Sequence, residues 1–175
     1  MDKERIEEII RVDHAGEHGA TAIYKGTLDI LSIYGDKETK RIIKEMAEGE
    51  KKHVNEFNKL IKERSIRPTA LLPFWKITGY SLGALSAIYG KQVIMACTEA
   101  VEEVIDKHYA KQIEELEESG VEKDLLKSIK EFHAEEVEHE MIAKQEGGND
   151  SSFISFFKDV VKFGCKGAIK ISEKF

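Results

Sequence analysis

Glu136-Val137-Glu138-His139 decides how this chain is read, together with its echo 86 residues earlier, Glu50-Lys51-Lys52-His53. Both have the form Glu-x-x-His. On a helix, residues three apart share a face about one turn apart, so carboxylate and imidazole aim at the same spot. Two such turns, each joined by one further Glu from another helix, make the ligand set of a carboxylate-bridged two-metal site inside a four-helix bundle. Glu17, 33 residues before Glu50, and Glu102, 34 residues before Glu136, are the candidates for those further carboxylates. The chain thus reads as two copies of one plan, a helix with Glu followed by a helix with Glu-x-x-His.

Working outward from these motifs, the pattern is all-α. Residues from about 3 to 34 carry Ile6, Ile10, Tyr24, Leu28 and Leu31 at helical spacing, with Asp13, Glu17 and Ala20 on the same stripe. Gly35-Asp36 ends that helix, and Asp36 suits the N-cap of the next, which runs to about Arg64 with Ile43, Met46, Phe57 and Leu60 on one face. Pro68 and Pro73, the chain's two prolines, mark the crossover between halves. A long helix to about Ser119 aligns Thr98, Glu102, Ile105 and Tyr109, and Gly120 closes it. The next, from Glu122 to about Glu146, aligns Leu125, Ile129, Phe132, Glu136, His139 and Ala143. Gly147-Gly148-Asn149 ends it, and Ser151 or Ser152 can cap a last segment. The expected organisation is one domain over 1–175: a first helix pair (1–64), a crossover and membrane-facing segment (65–95), a second pair (96–146) and an amphipathic C-terminal helix (151–175).

Composition agrees. Charged residues make up 34%, which favours long helices with solvated faces, and the net charge of −6 without a basic array excludes nucleic acid as a partner. Cys97 and Cys165 match no zinc spacing and point to a reducing compartment. The charged start Met1-Asp2-Lys3-Glu4-Arg5 resembles neither a signal nor a transit peptide.

A bland alternative exists for each motif. A single Glu-x-x-His on so acid-rich a chain is also what a solvated helix face looks like. Against this, four carboxylates and two imidazoles fall on otherwise apolar stripes, where burial without a partner is costly and metal coordination offsets the cost. Glu99, Glu103, Glu135, Glu138 and Glu140 project to other faces by helical count. His14, Glu17 and His18 form a candidate mononuclear site that would leave both Glu-x-x-His pairs unexplained. His133 reads as an ordinary helix residue. Tyr109 returns to the face of Glu102, either as core packing or as a partner of the site, and Asp13 and Asp106 are candidate partners for the ligating histidines. Oxygen-rich ligation with two histidines suits iron or manganese.

The motifs Arg11-Val12-Asp13-His14-Ala15-Gly16-Glu17, Phe74-Trp75-Lys76-Ile77, Ala96-Cys97-Thr98, Val101-Glu102-Glu103, His108-Tyr109, Glu135 to His139, Gly164-Cys165-Lys166 and Ile171-Ser172-Glu173 resemble those of the demethoxyubiquinone hydroxylase family. The resemblance runs from about residue 5 to 175. It implies a ferritin-like bundle with two iron ions, one held by Glu17, Glu50 and His53 and the other by Glu102, Glu136 and His139, with Glu50 and Glu136 as bridges. It also implies an O2-dependent monooxygenase of ubiquinone biosynthesis, hydroxylating a demethoxyubiquinol ring of the 2-polyprenyl-3-methyl-6-methoxy-1,4-benzoquinol type. The reductant would be NADH or a reductase, and His108 and Tyr109 would assist electron or proton delivery. Glu99 departs from the pattern, standing where a small apolar residue is expected. The competing classes are a ferritin-like iron-binding or peroxide-scavenging protein and a non-catalytic lipid-binding bundle.

A polyprenyl substrate lives in a bilayer. The uncharged run from Ile77 to Gly90 is 14 residues, short of a span, but Phe74, Trp75, Tyr80 and Tyr89 with Lys76 and Lys91 suit an interfacial position. Phe153 to Phe175 holds five lysines against Asp159 and Glu173 beside an apolar face, as a basic amphipathic helix on an anionic membrane does. The alternatives are packing on the bundle and a homodimer interface. The expectation is a peripheral protein on the cytoplasmic face of a bacterial inner membrane, with room for a lipid-presenting partner protein.

Overall fold

Six helices make up the computed structural model, which describes residues 1–174. Phe175, the last residue of the expected C-terminal segment, lies outside the described residues. Local chemistry sets the boundaries. Asp2 caps α1 (Lys3–Tyr34) by accepting from the Arg5 amide at 2.9 Å, and Asp36 caps α2 (Lys37–Glu63) from Thr39 at 2.8 Å. Pro73 lies in the first turn of α3 (Leu72–Tyr89), where its missing N–H does no harm. Gly120, in the left-handed conformation, ends α4 (Lys91–Ser119). α5 (Lys123–Gly147) follows, and Ser151 caps α6 (Ser152–Ser172).

Two features differ from the sequence expectation. The uncharged run is itself a helix, α3. Residues 91–95, expected in the crossover, belong to α4, because Gly90 at φ +97° breaks the chain just before Lys91, and Ile94 and Met95 bury themselves in the core.

Helices α1, α2, α4 and α5 form the bundle, and contacts fix their directions. Tyr24 meets Glu102 and Gln112 meets Asp13, so α1 and α4 are antiparallel. Lys91 meets Glu146 and Lys130 meets Glu117, so α4 and α5 are too. The remaining helices extend the internal repeat. α3 runs parallel to α1, so close that a Cβ on Gly79 would lie 2.7 Å from the Gly19 carbonyl oxygen and one on Gly83 would overlap that of Ile23. In the second half α6 runs parallel to α4, with Lys158 on Glu99 and Lys162 on Glu103. The repeating unit is therefore three helices, not two.

The core splits into two apolar layers. One holds Ile9, Ile10, Phe57, Leu116, Leu125, Ile129 and Phe132. The other holds Leu31, Ile42, Ile43, Met46, Ile94 and Met95. Between them the bundle carries a polar layer.

Candidate metal centre

That layer is made of Glu17 from α1, Glu50 and His53 from α2, Glu102 from α4, and Glu136 and His139 from α5. All six are buried, Glu50, His53 and Glu136 completely. They form two overlapping groups, Glu17-Glu50-His53-Glu136 and Glu50-Glu102-Glu136-His139, in each of which one ligand atom per residue lies within 4.8 Å of the others. Glu50 and Glu136 belong to both. Glu50 turns one oxygen to His53 Nδ1 (3.7 Å) and the other to His139 Nδ1 (3.3 Å), and Glu136 does the same at 3.0 and 3.4 Å.

Eight donor atoms of these residues are buried without a hydrogen-bond partner: one oxygen each of Glu17 and Glu102, both oxygens of Glu50 and Glu136, and Nδ1 of His53 and His139. Buried polar groups are otherwise almost always paired, and each orphan costs roughly 1–3 kcal/mol. Four carboxylates and two imidazoles converging on orphaned atoms fit two divalent cations, whose four positive charges match four ionised carboxylates. The donor chemistry suits iron or manganese.

Protons occupy the cluster otherwise. Burial pushes Glu17 and Glu102 well above the usual carboxylate range. Burial alone would depress His53, but Glu136, Glu17 and Glu50 raise it strongly instead, and His139 rises to about 9 against the same burial through Glu136 and Glu50. Glu50, despite burial, is held at about 2 by His139 and His53.

The surrounding residues correct several sequence expectations. Asp13 and Asp106 reach neither ligating histidine. Asp13 accepts from Gln112 at 2.8 Å and lies 3.3 Å from His108 Nε2, while Asp106 lies 2.6 Å from His133 Nε2. Each aspartate sits at a helix seam where another side chain is nearer, and His133 is a half-buried residue of α5 paired there with Asp106. His53 Nε2 instead faces Glu135 at 3.3 Å. His14 and His18 both turn to Asn58 Oδ1, at 3.0 and 3.2 Å, rather than gathering a mononuclear site with Glu17. Tyr109 donates to Glu17 Oε1, and His108 stands at the partly exposed edge beside Asp13. Tyr24, read from sequence as a core residue, donates to Glu102 Oε1 at 2.8 Å. The signal for it was available, since Tyr24 follows Glu17 by seven residues as Tyr109 follows Glu102.

An apolar cavity of about 380 Å³ lies between α1, α3, α4 and α6. Its α1 wall runs from Val12 to Ile23 through Ala15, Gly16, Gly19 and Ala20, and a Cβ at Gly16 or Gly19 would meet nothing within 4 Å. Counted from the ligands Glu17 and Glu102, the matching α4 residues are Val101 and Val104. Small residues on one helix of the repeat thus open the space. A gap too narrow to admit a water molecule, lined by Ala20, Ile23, Tyr24, Thr98, Val101 and Glu102, shares three residues with the cavity and separates it from the carboxylate layer.

Comparison with known proteins agrees in extent with the bundle. Residues 4–172 match the family described as Ubiquinone biosynthesis protein COQ7. The chain is 42% identical, over 99% of its length and 79% of the relative's, to the NADPH-dependent 3-demethoxyubiquinone 3-hydroxylase, mitochondrial, of Dictyostelium discoideum. It is 43% identical to the protein of the same name from Bos taurus, over 99% and 80% of the two chains. It is 38% identical to the 3-demethoxyubiquinol 3-hydroxylase of Rhodospirillum rubrum, over 97% and 78%.

Proposed function

The chain belongs to the Ubiquinone biosynthesis protein COQ7 family, and from that premise we propose that it is an O2-dependent hydroxylase of a demethoxyubiquinol ring, working with two iron ions. Glu17, Glu50 and His53 would hold one iron, Glu102, Glu136 and His139 the other, and Glu50 and Glu136 would bridge them. The observation that carries the reading is a cluster of eight unpartnered buried donor atoms beside an apolar cavity. Bound ferrous iron would supply the redox chemistry that dioxygen activation demands.

The protein's own groups do the rest. The cavity takes the apolar ring and the first part of the polyprenyl chain, with room made by Gly16 and Gly19. The apolar layers above and below keep bulk water from the carboxylates. Tyr109 touches Glu17 directly, and next to it His108, at the partly exposed edge, meets Asp13 and Gln112, its ring 6.4 Å from that of Tyr109. These neighbouring groups are suited to assist proton or electron delivery, with a nicotinamide cofactor, as the names of several relatives specify, or a reductase as the source. An apolar cavity has no use in iron storage, which weighs against that class.

Access to a bilayer-bound substrate would come through α3 and α6, which cover the cavity. Phe74, Ile77, Leu85, Ile88 and Tyr89 of α3 and Phe153, Phe156, Val160 and Phe163 of α6 are exposed. Among the described residues no helix is long and apolar enough to cross a membrane. We therefore assign a peripheral attachment, on the cytoplasmic face of the inner membrane in a bacterium.

Purification under anaerobic conditions with iron tests the reading. About two irons per chain, coupled in the Mössbauer spectrum, with turnover of a demethoxyubiquinol, is the expected result. A folded helical protein without stoichiometric metal would overturn it.

A further inference from the structure

Each half of the molecule braces the other half's terminal carboxylate. Tyr24 of α1 donates to Glu102 Oε1 of α4 at 2.8 Å, and Tyr109 of α4 donates to Glu17 Oε1 of α1. All four side chains are buried. In both glutamates the oxygen left without a partner is Oε2, whereas Glu50 and Glu136 leave both of theirs free. The two tyrosines therefore divide the four carboxylates into two that offer one oxygen and two that offer a pair.

We propose that Tyr24 is a positioning residue that restricts Glu102 to one metal-facing oxygen, on the side of the centre nearest the cavity. This rests on the two-metal reading of the site. A carboxylate with both oxygens free can chelate a single cation. With Oε1 accepting a phenolic O–H, chelation would break that bond and strand a buried hydroxyl, which opposes it. The two braces are alike in bonding but not in surroundings. Each tyrosine backs onto an apolar layer, Tyr109 with Ile9, Ile10 and Phe57 and Tyr24 with Leu31, Ile43 and Met46, but Tyr109 lines neither the gap nor the cavity. Tyr24 and Glu102 line the narrow gap that adjoins the cavity. A chelating Glu102 would fill a coordination position on the face from which the ring arrives. Tyr24 holds that position open.

Cobalt(II) is the probe, because its ligand-field absorption reports coordination number and needs no turnover. Wild-type protein is expected to take up two Co(II) per chain. Tyr24→Phe, which removes one oxygen and keeps the ring, should still bind two with unchanged helicity. One of its two ions should gain a ligand, seen as a loss of ligand-field intensity on that ion alone. Tyr24→4-aminophenylalanine, which restores a donor, should return the wild-type spectrum. A Tyr24→Phe spectrum identical to wild type, or a change that the amino variant does not reverse, overturns the inference. Wild-type protein that binds no stoichiometric cobalt removes the centre itself, an outcome distinct from an unshifted Tyr24→Phe spectrum.

Discussion

Glu102 shows what single residues at this site do to the protein when no metal is there. It is 1% exposed, its Oε2 has no partner, and burial lifts its pKa well above the carboxylate range. Glu102→Gln keeps the acceptor for Tyr24 and replaces a carboxyl that must hold a proton to stay buried with a permanently neutral amide. The metal-free protein should become more stable by about 1–3 kcal/mol, and metal binding should drop from two ions to one. Thermal melts of the chelated protein and metal titrations check both halves; a lower melting temperature without metal would contradict the first. The same protons give a pH dependence. His139, raised to about 9, contributes stability that is complete below its unfolded value of 6.5 and is lost as pH rises through 9. Glu17 and Glu102, raised above 4.5 by burial, act in the same sense, since the native metal-free state keeps protons that the unfolded chain releases. The melting temperature of the metal-free protein should therefore fall between pH 6.5 and 9. Bound cations need these groups deprotonated, so the gap to the two-metal protein should widen over that range. A constant gap would count against the two-metal site. At this scale the six candidate ligands were legible because a helix face is a matter of counting. Tyr24, Glu135 and the true partners of Asp13 and Asp106 were not, because they depend on which neighbouring helix lies nearest, and spacing along one helix does not say.

Helix α6 illustrates how a charge that looks out of place in sequence is explained by its neighbour. Glu99 stands where a small apolar residue was expected, and the five lysines between Phe153 and Phe175 read as a basic face for a membrane. Two of those lysines turn inward. Lys158, 8% exposed, pairs with Glu99 at 2.5 Å and Asp150 at 2.6 Å, and Lys162 pairs with Glu103. They clamp α6 along α4 over the cavity, leaving Lys166, Lys170 and Lys174 exposed. Removing one partner of a buried pair costs about 3–5 kcal/mol because the other charge is left stranded. Lys158→Met should lower the melting temperature and speed amide hydrogen exchange throughout α6. Glu99→Ala/Lys158→Met should recover most of the loss, since neither charge remains. If the double variant is no better than the single one, the pair does not hold the helix. Helix ends were the most legible elements, because Asp36, Ser151 and Gly120 act locally. The identity of α3 as a helix was not. Its packing against α1 depends on Gly79 and Gly83 letting two backbones meet, a contact that neither segment announces alone.

Taken whole, the molecule is a three-helix unit used twice, with the carboxylate layer between the units and the cavity where α1, α3, α4 and α6 meet. The sequence disclosed the repeat only in its first two helices, because ligand spacing repeats, whereas α3 and α6 share an architecture but not a composition. Both third helices cover the same side of the bundle, and both present exposed apolar side chains there, Phe163 at 82% and Ile77 at 67% among them. Large apolar groups left in water on the two helices that wall an apolar cavity are, on the proposed function, the surface that would meet lipid. Phe156 and Phe163 point outward and touch no part of the metal centre, so charge placed there should act on docking alone. Burying each ring contributes about 1.5–3 kcal/mol. Phe156→Glu/Phe163→Glu should therefore weaken binding to anionic vesicles by at least about 100-fold, with folding and metal content unchanged. Turnover of a short-chain, water-soluble demethoxyubiquinol should persist, while turnover of a long-chain one presented in vesicles should collapse. Vesicle binding that survives both charges would move the docking surface elsewhere, and equal losses with the two substrates would place these rings in the path of the ring itself, not of the membrane.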